Sequence, residues 1–312
     1  MLTHAETSEL ARSVLAVPPL ALTPELDFAD AANAALIRHI EAGGVSTLLY
    51  GGNANVQNWP VSRFRDWLER LAGMAAENSW VIPSVGPDWG KLMDQAAILK
   101  HMRFPVAMAL PMTGPQTADG VARGLQDFAA AAGVKLIVYI RSENYVAPEA
   151  LGRLVEQGAV FGIKYAVPRR TIEQDAYLDA LIAAVGRARI VSGFGEPPAV
   201  PHMRHFGLAG FTAGCVCLAP ALSMQLLRTL QAQDWAAAER LLPHFAPLED
   251  LRERGNNIRV LHTAVTLSGL ADMGPILPLL TEADPALHEE IRAAARALLA
   301  AEMAHRAGRA AA

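Results

Sequence analysis

The chain has 312 residues, 52% hydrophobic and 19% charged, enough for a full core in one large α/β domain or two ordinary ones and too apolar for disorder. A net charge of −4 with no long run of one sign argues against nucleic acid as a partner, and no apolar run reaches the roughly 18 residues that span a bilayer. The two cysteines, Cys215 and Cys217, stand too close together to staple a fold, and no CxxC or HExxH pattern accompanies them, so neither a disulfide framework nor a metal centre is expected.

Residues 1–20 lack a basic leader, and their apolar segment is broken by Pro18-Pro19, so no signal peptide is expected and the chain is read as cytoplasmic. From there, short apolar runs alternate with longer amphipathic ones. The apolar runs predict strands at 14–20, 46–50, 81–85, 106–110, 136–139, 161–165, 190–192 and 210–212. Helical periodicity follows each of them, at 28–42, 61–77, 89–102, 117–132, 148–157, 170–187, 200–205 and 220–231. Such alternation demands parallel strands with helices outside them, and eight units fit a (β/α)8 TIM barrel better than a doubly wound sheet. A dinucleotide fold would want GxGxxG after its first strand, where Pro18-Pro19-Leu20 stands instead. Beyond residue 232 only helices are expected, at 234–242, 244–254, 257–270 and 285–306. The division is therefore a barrel over 1–232 and a C-terminal helical extension over 233–312. Nothing in that extension points to chemistry.

One lysine stands out. In the sixth predicted strand Phe161, Ile163 and Tyr165 share one face, while Gly162, Lys164 and Ala166 share the other. The second face is a lysine between two residues small enough to leave it a cavity. An ammonium buried there either pairs with a carboxylate or loses its proton, and a neutral amine can form a Schiff base with a ketone. The alternative is a lysine that snorkels from a strand end to water.

Active sites of such barrels lie at the C-terminal ends of the strands, which gathers a constellation around Lys164. Tyr139 ends the neighbouring fifth strand and can carry protons if the lysine's charge lowers its pKa; otherwise it packs on a helix. After the second strand, Gly51-Gly52-Asn53-Ala54-Asn55 can expose backbone N–H groups to an anion or form an ordinary turn. Gly193-Phe194-Gly195-Glu196 follows the seventh strand, with Glu196 expected in solvent. His202 and His205, three apart on a helix, are expected on the surface.

The order of these pieces resembles the dihydrodipicolinate synthase and N-acetylneuraminate lyase family of class I aldolases. That family carries GxxGE after the second strand, a tyrosine ending the fifth, GIK on the sixth, SG on the seventh and a GxxG turn at the eighth. Here stand Gly51-Gly52-Asn53-Ala54-Asn55, Tyr139, Gly162-Ile163-Lys164, Ser192-Gly193 and Gly207-Leu208-Ala209-Gly210-Phe211-Thr212, over about residues 14–270. The resemblance implies a Schiff-base lysine at Lys164 and a proton-transfer tyrosine at Tyr139. Gly52, Asn53 and Gly193 would bind the substrate, and Phe211 would line the pocket. It also implies a 2-oxo acid substrate, no cofactor and a homo-oligomer, a tetramer or dimer.

The departures narrow the expectation. The family's pair of threonines after the second strand is Gly52-Asn53 here, Pro111-Met112-Thr113 stands where synthases place tyrosines, and Arg141 is displaced from the synthases' substrate-gripping arginine. The expected function is a Schiff-base lyase other than the lysine-pathway synthase, performing either aldol cleavage to pyruvate or dehydration of a 2-oxo-3-deoxy sugar acid. The alternative is a catalytically degenerate member that binds a 2-oxo acid without turning it over.

Overall fold

The computed structural model describes residues 1–310. Eight parallel strands close into a barrel in sequence order: β1 (Leu15–Ala16), β2 (Thr47–Tyr50), β3 (Trp80–Val85), β4 (Val106–Ala109), β5 (Lys135–Ile140), β6 (Val160–Tyr165), β7 (Ile190–Ser192) and β8 (Gly210–Ala213). A short α1 (Glu9–Arg12) precedes β1. Outside the barrel run α2 (Asp30–Ala42), α3 (Phe64–Met74), α4 (Trp89–Leu99), α5 (Ala118–Ala132), α6 (Pro148–Glu156), α7 (Ala176–Val185), α8 (Glu196–Pro201) and α9 (Pro220–Gln231). The extension comprises α10 (Trp235–Gly255), α11 (Asn257–Ser268) and α12 (His288–Ala310). The (β/α)8 barrel with added C-terminal helices is thus present, and among the described residues no helix is long and apolar enough to cross a membrane.

Local chemistry sets the element ends. Thr117 caps α5 by accepting the Gly120 N–H, and Gly133 closes it in the left-handed conformation. α7 begins at Ala176 rather than near residue 170, because Asp175 caps it and also gathers Arg169 and the Tyr165 hydroxyl. α10 runs through Pro243 and Pro247 as one helix, where two helices were expected. Both prolines are exposed and one turn apart, so the hydrogen bonds they remove face away from the buried stripe of Phe245, Leu248 and Leu251.

Two packing details position the site. Leu10 of α1 is fully buried at the base of the barrel: a Cβ on Gly162 would lie 3.0 Å from its Cδ1, and one on Gly210 would lie 2.8 Å from its carbonyl. The extension is tied to the barrel by α12. The buried Glu302 carboxylate accepts the N–H groups of Ala221 and Leu222 at 2.9 and 3.0 Å, completing the first turn of α9.

Candidate active site

At the C-terminal mouth of the barrel lies a polar cavity of about 120 Å³. Its lining comes from the ends of β1, β2 and β5 to β8, closed over by Glu249 and Arg252 of α10 and Asn257 of α11. A larger, more apolar groove of about 630 Å³ lies beside α4 and α5, but Tyr145 is the one titratable side chain in its lining. The chemistry is at the mouth.

Lys164 lines the cavity and is 5% exposed, so the snorkelling alternative is excluded. Its Cα is in register with that of Tyr139 on β5, which puts both side chains inside the barrel, with Nζ 4.2 Å from the centre of the tyrosine ring. Gly193 on β7 makes room: a Cβ there would press on the Tyr165 carbonyl at 2.8 Å and the Lys164 Cγ at 3.2 Å. Burial first, and then the guanidinium charges of Arg141 and Arg252, lower the Lys164 pKa to about 7, with no opposing carboxylate among the described residues. The amine is therefore substantially neutral near pH 7. Burial raises the Tyr139 pKa and outweighs those same two arginines, so the tyrosine is a protonated phenol rather than the acidified one expected.

Arg252 is the cation that sequence reasoning missed. It stands on α10 in the supposedly inert extension, 7% exposed, and pairs with Glu249 at 2.5 Å. Both sit where a helical apolar stripe through Phe245, Leu248 and Leu251 leads, and two opposite charges interrupting such a stripe are the signal that could have marked them. Glu196 was also misplaced: it is fully buried, not solvated, and accepts a hydrogen bond from Ser223 at 2.8 Å. The polar side-chain atoms of Glu196, Cys215 and Glu249 come within 4.8 Å of one another, and Arg252 already supplies the positive charge beside them.

The loop after β2 is not open. It winds into two 3-10 turns, Gly52–Ala54 and Val56–Asn58, joined at Asn55 in the left-handed conformation. The amides of Ala54 and Asn55 bond the carbonyls of Gly51 and Gly52, which leaves those of Gly52 and Asn53 without an acceptor among the described residues. Asn53 donates its side-chain amide to the Val17 carbonyl at 2.8 Å and keeps one N–H free. A Cβ on Gly52 would meet nothing within 4 Å, so the glycine leaves space in the cavity wall.

Phe211 does not line the cavity. It is fully buried, and its neighbour Thr212 faces the cavity, because successive side chains on β8 point to opposite sides. His202 is 1% exposed rather than on the surface; it shares a 2.8 Å hydrogen bond with Ser192 at the end of β7, and burial lowers its pKa to about 4. His205 stays half-exposed near Glu173.

No family model matches the sequence. The chain is 31% identical over 185 residues to a probable 5-dehydro-4-deoxyglucarate dehydratase of Streptomyces griseus, covering 55% of this chain and 56% of that relative. It is 24% identical over 289 residues to the probable 5-dehydro-4-deoxyglucarate dehydratase 2 of Streptomyces coelicolor, covering 89% and 86%. The chain thus spans about half the length of the first of the curated relatives it matches. Among solved structures, a dihydrodipicolinate synthase from Agrobacterium tumefaciens superposes with a TM-score of 0.81 at 19% identity, over 94% of this chain and 100% of that one. A Ruminococcus gnavus sialic acid aldolase, a catalytic lysine mutant, gives 0.80 at 15%, over 95% and 98%. The resemblance to the dihydrodipicolinate synthase and N-acetylneuraminate lyase family is borne out.

Proposed function

We propose that the chain is a lyase that holds a 2-oxo acid as a Schiff base on Lys164. The observation that carries the reading is a buried, unpaired amine with a pKa near 7 against the face of a protonated tyrosine. The amine attacks the 2-oxo carbon, and the Tyr139 phenol gives its proton to the carbinolamine oxygen, which leaves as water. The resulting cationic imine acidifies the adjacent C–H, and the tyrosine oxygen takes that proton to leave an enamine. The free amides of Gly52 and Asn53 hold the substrate's carboxylate, and Gly193 lets the lysine chain reach it.

The likeness to dehydratases supports loss of water over aldol cleavage. The compound in their name is a six-carbon diacid with a ketone beside one carboxylate, then a methylene, then two hydroxyls. A 2-oxo-3-deoxy sugar acid of that kind is the proposed substrate. The glycine at 52, with open space where the synthases carry a threonine, supports a reaction other than that of the lysine-pathway synthase. We further propose a cytoplasmic homo-oligomer; a 55% exposed Trp89 beside the apolar groove at α4 and α5 supports a subunit contact there.

Borohydride reduction with pyruvate, followed by intact mass and peptide mapping, tests the reading. One reduced adduct on Lys164, absent in Lys164→Ala, is expected. A stoichiometric adduct on another lysine refutes it.

A further inference from the structure

The guanidinium of Arg252 is buried yet mostly unsatisfied. It reaches the cavity from α10 across the end of β8. A Cβ on Gly214 would lie 2.6 Å from its Cζ and from its Nη2, so a glycine at that position is what lets the group lie against the backbone. The one hydrogen bond of this guanidinium among the described residues runs from Nη1 to Glu249, at 2.5 Å. Nε is buried without a partner, and Nη2 is left free. A guanidinium presents a rigid fork of N–H donors, and a desolvated one with most of them idle calls for an acceptor. The Glu249 pair alone does not answer that demand.

The charges around the cavity call for the same acceptor. Among the described residues its titratable lining is Tyr139, Arg141, Lys164, Glu249 and Arg252. Tyr139 is a neutral phenol. Two guanidinium groups stand against one carboxylate, which leaves one positive charge, and a cationic imine on Lys164 adds a second. Glu196, behind Glu249, contributes little, because burial and then the Glu249 charge push it up to about 8. Burial likewise keeps Cys215 and Cys217 as thiols. A monocarboxylate such as pyruvate balances one of the two positive charges. A dicarboxylate balances both.

We propose that Arg252 grips the far carboxylate of a 2-oxo dicarboxylate, so that the site selects diacids over 2-oxo acids whose chain ends in an uncharged group. The inference rests on the Schiff-base reading and gives it a substrate class. The near carboxylate is held by the amides of Gly52 and Asn53, beyond β2. The rest of the chain runs the other way: β6, β7 and β8 are neighbouring staves, and Gly193, Gly195 and Gly214 put no side chains between Lys164 and Arg252. The far carboxylate then accepts the N–H groups that Glu249 leaves free, in charge-assisted bonds, while Glu249 fixes the fork in place. Arg141 is the weaker candidate. It stands exposed just after β5, and a hydrated cation discriminates little, whereas a desolvated one discriminates strongly.

Borohydride trapping on Lys164 tests this with two probes of equal chain length. 2-Oxoadipate ends in a carboxylate, and 2-oxohexanoate ends in a methyl group. Wild type should reach half-saturation with 2-oxoadipate at a concentration about tenfold to a hundredfold lower. Arg252→Met should bring the two probes within about threefold of each other, Arg252→Lys should keep an intermediate preference, and Arg141→Gln should keep most of the wild-type one. The preference is a ratio within each variant, so any change in the lysine's own pKa cancels. Pyruvate trapping shows that each variant is folded and its lysine competent. If Arg252→Met strands Glu249 and no longer traps pyruvate, the double variant Arg252→Met/Glu249→Gln removes both charges and gives the same comparison. A wild type that fails to trap pyruvate overturns the Schiff-base reading. Where pyruvate is trapped, a preference that is absent in wild type, survives the loss of Arg252 or disappears in Arg141→Gln overturns the grip of Arg252.

Discussion

Lys164→Met should make the protein more stable, and by an amount that depends on pH. Methionine matches the lysine stem in length and removes only the amine, in a cavity lined by Ala166 and Gly193. In the unfolded chain the amine keeps its proton to about pH 10.4, whereas in the folded chain it loses it near 7. Between those values the unfolded state binds more protons, so wild-type stability rises with pH across the window and the amine costs nothing above it. Below pH 7 both states are charged and the full cost of burying the ammonium stands. At 1.36 kcal/mol per pKa unit that cost is about 4.5 kcal/mol at pH 6.5 and about 1.3 kcal/mol at pH 9.5. Urea denaturation of both proteins at the two pH values, with m unchanged, measures it directly. The expected gain for the variant is several kcal/mol at pH 6.5, shrinking more than twofold at pH 9.5. No gain at pH 6.5, or equal gains at both, would refute a buried neutral amine.

Gly52→Thr fills open space and should leave stability within about 0.5 kcal/mol and pyruvate trapping intact, while turnover of the six-carbon acid falls at least tenfold. Equal loss of trapping and turnover would show that the space is not substrate space. Glu302→Ala strands two buried amide donors and the Arg306 guanidinium, and should lower stability by about 3–5 kcal/mol in a urea titration. A loss under 1 kcal/mol would mean that α12 does not complete α9.

The barrel was legible because short apolar runs bounded by glycine and proline recur eight times, each followed by a helix-length amphipathic run. Lys164 and Tyr139 were legible too, since a charge in an apolar run contrasts with everything around it. What hid the rest was burial on both faces. β8 is covered inside and out, so alternation offered no contrast to say whether Phe211 or Thr212 faced inward. His202 was lost for a related reason: three prolines nearby disguise a helix that ends in a π-turn, and its bond to Ser192 lies across ten residues. Glu249 and Arg252 lie some ninety residues beyond Lys164, and only the path of α10 across the mouth brings them back. Spacing along the chain carries no trace of that path.

The roof made by α10 also has a consequence for the order of synthesis. The ribosome delivers all eight strands, with Lys164 among them, before residues 235–255 emerge, and domains form from the N-terminal side first. A barrel without α10 therefore lacks the Glu249 and Arg252 side of its mouth. Docking of α10 brings Glu249 and Arg252 to the cavity and puts the Arg252 charge within reach of the amine. The cavity is thus completed late, by residues made well after the lysine it surrounds.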